Sequence, residues 1–132
     1  DLEGFDYIWL IWGFSANRHA ATSLLVRPPR LGGNKKVGVF ASRSPFRPNG
    51  LGLSSVRIDR IEWKSERGPV IHVLGADLMD VTPIYDLKPY ITFADSHPDV
   101  RSGFVEERKW KKLQVSLSAE YKEQLLKNAY WT

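Results

Sequence analysis

The sequence predicts a mostly β fold, a small antiparallel β-barrel with one C-terminal helix. Five Trp, five Tyr and six Phe occur among 132 residues, and aromatic side chains favour strands. Apolar and polar residues alternate over 52–63 and 70–79, as in half-buried strands. An apolar period near 3.6 occurs only at the C-terminus, so no helix is available to cross between parallel strands. The strands are therefore expected to pair antiparallel and to curl into a barrel.

The first half of the chain supplies short strands separated by turns. Residues 5–14 are a run of aromatic and β-branched side chains, which predicts a strand buried on both faces. Residues 37–41 predict a brief strand between glycine-rich turns. Ser65–Pro69 predicts the hairpin turn between the strands at 52–63 and 70–79.

The last third of the chain predicts one more strand and the helix. Residues 84–90 are expected to be extended and irregular, and residues 112–117 alternate as a strand. Ser118 is the predicted N-cap of the helix, and Tyr121 and Leu125 share one face of it.

Length and composition fit one domain, because 132 residues with 42% hydrophobic content can build a single core. The chain starts without Met and enters a buried-looking segment at once, so we expect the domain to lack upstream residues. The absence of Cys excludes disulfides and a thiol nucleophile. The longest apolar run, residues 7–14, is too short to span a bilayer, and no export signal is present. The expectation is a cytoplasmic protein with no membrane partner.

Positive charge is concentrated in one half of the chain. Eight Arg and Lys residues and no acidic residue lie between Asp6 and Asp59, and we call this stretch the acid-free zone. Its arginines alternate with Gly and Pro rather than with Asp and Glu, which argues against a surface of salt bridges. Guanidinium groups on rigid turns bind phosphates in a bidentate way, so an anionic partner such as nucleic acid is expected.

Several common chemistries are not supported by the sequence. His19, His72 and His97 lie far apart, so no metal site is expected. No glycine-rich Rossmann or Walker pattern occurs, and the serines have no evident His and Asp partners.

An acidic segment remains, with Asp77 and Asp80 close to Asp86. Asp77 falls inside the predicted strand at 70–79, where an unpaired carboxylate is costly. Two interpretations stay open: these residues form turns, or Asp77 accepts hydrogen bonds from a ligand.

Five segments of the sequence form long and specific motifs. They are Arg27-Pro-Pro-Arg-Leu-Gly-Gly33, Gly38-Val-Phe-Ala-Ser-Arg43, Arg47-Pro-Asn49 with Gly52-Leu-Ser54, Asp77-Leu78, and Thr82-Pro-Ile-Tyr-Asp-Leu-Lys-Pro-Tyr90. In these motifs the sequence resembles the TrmO family, also called the TsaA-like or VirR family, and the likeness runs in order along residues 2–95.

The resemblance implies a β-barrel tRNA methyltransferase that uses S-adenosylmethionine and acts as a homodimer. Its target would be N6 of the threonylcarbamoyl-modified adenosine at position 37, next to the anticodon. A different class of function, a non-catalytic basic RNA-binding β-barrel, is the alternative.

The resemblance also implies which residues form the site. The cofactor contacts would be Arg43, Ser55, Ala76, Asp77, Leu78, Met79, Ser15 and Ala16. The residues that face tRNA or shape the pocket would be Arg27, Arg30, Arg47 and Lys88. No catalytic residue is assigned, and the candidates are Asp77, Asp86 and Tyr90.

The chain departs from the family pattern at three places. Ser15-Ala16 stands where family members often have His-Gln, and Gly50 stands where a second Pro is usual. The family's upstream Pro-Arg-Gln motif, a further cofactor contact, does not occur in the sequence.

Overall fold

Strand β1 (Tyr7–Gly13) lies inside a four-stranded antiparallel sheet. We obtained a computed structural model of the chain, which describes residues 1–17, 23–106 and 114–128, with the backbone alone at residues 30 and 128. The sheet order is β5-β4-β1-β6, and a separate ribbon pairs β2 with β3. The remaining strands are β2 (Leu25–Val26), β3 (Val37–Gly38), β4 (Leu51–Glu62), β5 (Val70–Leu74) and β6 (Ile84–Pro89).

Helices are short apart from one near the C-terminus. Helix α1 covers Thr92–Asp95 and α2 covers Ala119–Asn128. Single 3-10 turns occur at Leu2–Gly4, Pro29–Leu31, Val39–Ala41 and Gly103–Glu106. The predicted class, mostly β with antiparallel strands and one main helix, is confirmed. No helix in the described ranges is long and apolar enough to cross a membrane.

The core lies against one face of the four-stranded sheet. Ile8, Leu10 and Val56 are buried there, because alternate residues of a strand point to the same side. Half-buried side chains pack around them: Leu2, Trp12, Ile58, Ile71, Val73 and Leu78. We call this the core face and the opposite side the outer face.

The expectation that β1 is buried on both faces is wrong. Its outer-face residues are only partly covered, and Tyr7 is 45% exposed. The apolar run made the two faces look alike in the sequence, but Ile8 and Leu10, the large buried residues of β1, both lie on the core face.

The predicted strand at 70–79 is too long. Strand β5 ends at Leu74, and Gly75 adopts a left-handed backbone with φ of 74°, a conformation that glycine reaches without strain. Residues 76–79 therefore belong to a loop. Asp77 is exposed there, so the argument that it occupies a buried strand is also wrong.

The segment expected to be extended and irregular is a strand. Residues 84–89 form β6, with Ile8 opposite Pro89 and Ile11 opposite Asp86, and the register shifts beyond Ile11. Proline is tolerated here because β6 is an edge strand of this sheet, where one side of the backbone needs no partner. The brief strand at 37–41 is shorter than predicted, since Val39–Ala41 forms a 3-10 turn.

The strand predicted at 112–117 is not found. Residues 114–118 have no regular secondary structure, and residues 112 and 113 lie outside the described ranges. The predicted helix start is confirmed, because the Ser118 hydroxyl accepts a hydrogen bond from the Tyr121 N–H at 3.4 Å. Leu125 shares its face, and both side chains are exposed.

The predicted hairpin turn is also confirmed. Gly68 N–H donates to the Ser65 carbonyl at 3.1 Å, and the Ser65 hydroxyl donates to the Gly68 carbonyl at 2.5 Å. This turn joins β4 to β5 at the end of β4 that is distant from Gly13.

Candidate functional site

Three loops meet where β1 ends. The Phe14 N–H donates to the Gly50 carbonyl at 2.9 Å, and the Gly13 N–H donates to the Pro83 carbonyl at 3.0 Å. The Asn17 side-chain amide donates to the Pro45 carbonyl at 3.1 Å. We call the combination of residues 14–17, 42–50 and 75–83 the loop cluster.

The first loop carries Ser15 and Ala16, the positions at which the family resemblance implies a cofactor contact. Both residues are exposed in a turn, which the Asn17 N–H closes by donating to the Phe14 carbonyl at 3.1 Å. Below this turn, the Trp12 and Phe14 rings meet edge to face at 4.5 Å between centroids. The Trp12 indole N–H donates to the Ser54 hydroxyl at 3.0 Å, so the base of the loop cluster is fixed to β4.

The second loop is held by its own serines. The Ser42 hydroxyl donates to the Val39 carbonyl at 2.9 Å and accepts from the Ser44 N–H at 3.3 Å. The Ser44 hydroxyl in turn accepts from the Phe46 N–H at 3.2 Å. Such side-chain turns fix the backbone without regular secondary structure.

Arg47 closes this loop from inside. Its Nη1 donates to the Ser42 carbonyl at 3.1 Å and to the Ser44 carbonyl at 3.3 Å, and the side chain is half-buried. These two carbonyls flank Arg43. Arg47 therefore positions the loop that carries Arg43, which is the pocket-shaping role among those that the resemblance implies.

Arg43 is the exposed charge of the second loop. Within the described residues, no acidic side chain or carbonyl lies within bonding distance of its guanidinium group. An arginine that is held on a fixed loop and keeps its donors free is suited to bind a carboxylate or a phosphate.

The third loop runs from Leu74, which lies opposite Arg57, to Pro83 beside Gly13, and it carries Ala76, Asp77, Leu78 and Met79. Leu78 packs against the core, whereas Asp77 and Met79 are exposed. The Thr82 hydroxyl donates to the Met79 carbonyl at 2.7 Å, and the Val81 N–H donates to the Asp80 carboxylate at 3.0 Å.

Most of the expected cofactor residues lie on these three loops. Two of the three loops, at 14–17 and 42–50, hydrogen-bond directly to each other, and the third is joined to β1 beside them. The exception is Ser55, which lies opposite Trp9 on the outer face of the sheet. Ser55 is therefore not among the residues of the loop cluster.

The other two catalytic candidates also lie outside the loop cluster. Asp86 is opposite Ile11 on the outer face, where its carboxylate accepts from the Leu87 N–H at 2.9 Å and lies 3.5 Å from Lys88 Nζ. Tyr90 lies at the far end of β1, with its ring 5.7 Å from Trp9 and 6.2 Å from Tyr7. Asp77 is the one catalytic candidate in the loop cluster.

Asp95 fixes the outer-face aromatic residues. Its Oδ2 accepts from the Ile91 N–H at 2.8 Å and from the Trp9 indole N–H at 3.0 Å. These two hydrogen bonds, the backbone one first, hold the pKa of the Asp95 carboxyl below its ordinary value, because they stabilise the charged form.

The basic residues expected to face tRNA lie in different surroundings. Arg27 is exposed just after β2, and Arg30 occupies the 3-10 turn that follows, with its side chain outside the description. Lys88 is exposed on the outer face beside Asp86. In the part of the chain that the structure describes, no three His, Asp or Glu side chains are grouped as a metal ion requires.

The residues that assemble the loop cluster are not among the candidates that the sequence indicates. Asn17 joins the first two loops, and Ser42 and Ser44 shape the second. The Ser-x-Ser-Pro spacing is a turn signal that could have identified the two serines. Asn17 gave no local signal, since its partner Pro45 is 28 residues away.

Comparison with known proteins places the chain in a family. Residues 1–96 match the family described as the tRNA-methyltransferase O N-terminal domain. A tRNA (adenine(37)-N6)-methyltransferase of Eikenella corrodens is 52% identical over 100 residues, which cover 76% of this chain and 56% of that protein. The protein of that name in Escherichia coli is 41% identical over 126 residues, covering 95% of the chain and 53% of the relative.

Solved structures agree with this placement. A crystal structure of TrmO matches with a TM-score of 0.58 and 37% identity, over 78% of this chain and 41% of that chain. TrmO from Pseudomonas aeruginosa matches with a TM-score of 0.57 and 33% identity, over 80% and 40% of the two chains. The chain spans about half the length of the curated relatives it matches. With its N-terminal domain family matched over 96 residues, the chain belongs to the TrmO family.

Proposed function

We propose that this chain binds the cofactor and the RNA in an S-adenosylmethionine-dependent tRNA methyltransferase. The reaction adds a methyl group to N6 of the threonylcarbamoyl-modified adenosine at position 37 of tRNA. One observation carries the proposal: in a member of the TrmO family, the loops that hold Ser15 and Arg43 are hydrogen-bonded to each other at the end of β1, where the loop that holds Asp77 also ends, at Pro83. The named methyltransferase relatives support the reaction class.

The residues of the loop cluster fit the chemistry of S-adenosylmethionine. The free guanidinium of Arg43 is suited to the carboxylate of the methionine part. The exposed carboxylate of Asp77 is suited to accept a hydrogen bond from a ribose hydroxyl. Leu78 and Met79 add apolar surface beside Asp77. When bound, the cofactor supplies an electrophilic methyl group on a positively charged sulfur.

The chain contributes mainly position to this reaction. Loops that are cross-linked by hydrogen bonds hold the two reactants in one geometry, which replaces a bimolecular encounter. The N6 nitrogen of the target carries one hydrogen, and this proton must leave as the methyl group is added. Asp77 accepts it, because its carboxylate is exposed in the loop cluster, whereas Asp86 and Tyr90 lie on the outer face.

Arg43→Ala tests the assignment of the two binding functions. We expect cofactor affinity, measured by titration calorimetry, to fall roughly tenfold or more, since a charge-assisted hydrogen bond is lost. Affinity for tRNA should stay near that of the unaltered chain. Arg67→Ala is the matched control, because Arg67 is an exposed arginine in the hairpin turn at the other end of β4.

Two results would contradict the proposal. The first is an unaltered chain that binds tRNA but neither binds the cofactor nor incorporates a labelled methyl group, which would favour a non-catalytic RNA-binding barrel. The second is an equal loss of cofactor and tRNA affinity in Arg43→Ala. That result would reject separate roles for the loop cluster and the β2–β3 ribbon.

We also propose that the protein acts as a homodimer in the cytoplasm, where its tRNA substrate is found. Large apolar side chains are exposed on the outer face, among them Leu53 at 58% and Leu74 at 47%, and such patches mark interfaces. The aromatic residues that the sequence suggests for an interface, Trp110, Tyr130 and Trp131, lie outside the described residues. Sedimentation equilibrium decides the point: retained methylation at a mass of 15.1 kDa excludes the dimer.

A further inference from the structure

Two phenylalanine rings are exposed in the segment that carries Arg43. Phe40 is 74% exposed and Phe46 is 55% exposed. Within the described residues, neither ring contacts another aromatic ring. An exposed ring of this size can stabilise a complex, because covering its apolar surface releases free energy in proportion to the area removed from water.

The backbone that carries these rings is fixed. The Phe46 N–H donates to the Ser44 hydroxyl at 3.2 Å, and the Arg47 guanidinium holds the carbonyls of Ser42 and Ser44. The Asn17 amide binds the Pro45 carbonyl next to Phe46. Phe46 is thus presented on a cross-linked loop, so little ordering entropy is lost when a ligand covers its ring.

The charge around the rings selects the kind of ligand. Both rings belong to the acid-free zone, which holds eight basic residues and no acidic one. Aromatic rings in a basic surface are how proteins bind single-stranded nucleic acid: the bases stack on the rings, and the surrounding positive charge attracts the backbone. Bases in a duplex are already stacked on both faces and cannot bind this way.

We propose that Phe46, together with Phe40, forms a stacking site for unpaired bases in the loop of the RNA substrate. This inference rests on the proposed function, because it names how the same site binds its RNA. Two exposed rings in one segment can stack with two bases, whereas the single adenine of the cofactor needs one. For that reason we assign the stacking site to RNA rather than to the cofactor.

The test compares Phe46→Leu with Phe46→Trp in the full chain. The probe is an RNA hairpin with a single-stranded loop, titrated without cofactor, beside a fully paired duplex of equal length. Leucine keeps the apolar volume but has no π face, so hairpin affinity should fall roughly 5-fold to 150-fold, while tryptophan retains it. Duplex affinity should not change with either variant.

Salt dependence separates stacking from charge. The slope of log affinity against log salt should be the same for Phe46→Leu and for the unaltered chain, because no phosphate contact is removed. The control is Phe93→Leu, which alters a ring that is 89% exposed on α1, after the end of β6 that is distant from the loop cluster. It should leave hairpin binding unchanged.

Three results would overturn the stacking site. These are unchanged hairpin affinity in the Phe40→Leu, Phe46→Leu double variant, equal affinity of the unaltered chain for hairpin and duplex, and a loss confined to cofactor affinity. Failure of the proposed function looks different. In that case the unaltered chain would bind the hairpin through Phe46 but transfer no methyl group, and the stacking site would stand.

Discussion

The carboxylate of Asp95 joins helix α1 to the outer face of the sheet. Its two hydrogen bonds, from the Ile91 backbone and the Trp9 indole, favour the charged form and lower its pKa. A carboxyl whose pKa is lower in the folded state than in the unfolded chain stabilises the fold. The stabilisation is complete at pH values where the carboxyl is ionised in both states. That contribution is present above the ordinary pKa of 3.8 and is lost as pH falls through the folded value.

Asp95→Asn should therefore destabilise the protein at neutral pH and much less in acid. We expect the difference in free energy of unfolding between the two proteins to shrink as pH falls below 3.8. Urea unfolding followed by tryptophan fluorescence at several pH values measures it. Asp99→Asn makes the same charge change in the next exposed loop without these hydrogen bonds. An equal pH profile for both variants would show that the Asp95 contacts do not stabilise the fold.

Asp77 is the residue on which the proposed chemistry depends. Asp77→Asn should lower the rate of methyl transfer by about 100-fold or more, because general base catalysis typically contributes a factor of that size. Cofactor affinity should fall far less, since the amide still accepts hydrogen bonds. Single-turnover transfer of a labelled methyl group measures the rate. Asp80→Asn is the matched control in the same loop, and an equal loss there would reject Asp77 as the base.

At the level of elements, β1 and β4 are joined by close contact as well as by hydrogen bonds. The Trp12 indole lies directly on the backbone of Gly52, its partner across the two strands. A side chain at Gly52 would overlap this ring, whose position is also fixed by the Ser54 hydroxyl. Glycine at residue 52 is thus required by space rather than by backbone conformation, and it lets Trp12 support the loop cluster.

Gly52→Ala should cost about 1–3 kcal/mol of stability, the usual penalty for overpacking. Gly38→Ala is the control, because an added methyl group there meets nothing within 4 Å and the φ of −61° suits any residue. Urea unfolding of both variants measures the difference. If Gly52→Ala were as stable as Gly38→Ala, the Trp12 contact would not restrict this position.

At the level of the whole molecule, charge is separated along the chain and this separation should govern RNA affinity. Eleven basic and fifteen acidic residues lie outside the acid-free zone, which holds eight basic ones. Long-range attraction of RNA is therefore expected to favour the segments of the acid-free zone, among them the β2–β3 ribbon.

Arg27→Ala and Arg30→Ala should each weaken tRNA binding and flatten its salt dependence. Each lost phosphate contact lowers the slope of log affinity against log salt by roughly 0.7 to 0.9. Arg47→Ala should behave differently, because its Nη1 is bound to two carbonyls: we expect a stability loss of about 1 kcal/mol and an unchanged slope. A flattened slope with full stability in Arg47→Ala would instead identify Arg47 as a phosphate contact.

Local patterns were sufficient to predict much of the fold. The hairpin at Ser65–Pro69, the cap at Ser118 and the alternation in β4 each depend on residues close in sequence, so their physics can be read from a short window. The strand at 84–89 was missed because its two-residue alternation is interrupted by a register shift and ends in proline. Whether such a segment pairs depends on having β1 beside it.

The sequence by itself determined the fold class, the family resemblance and the basic half of the molecule. Tertiary structure alone decided which expected site residues meet, because that depends on strand register and on where loops end. Register placed Ser55 on the outer face, a glycine with positive φ moved Asp77 out of the sheet, and the Asn17–Pro45 bond joined loops 28 residues apart. The sequence gives the identity of each residue, but its neighbours across a sheet depend on how distant segments pair.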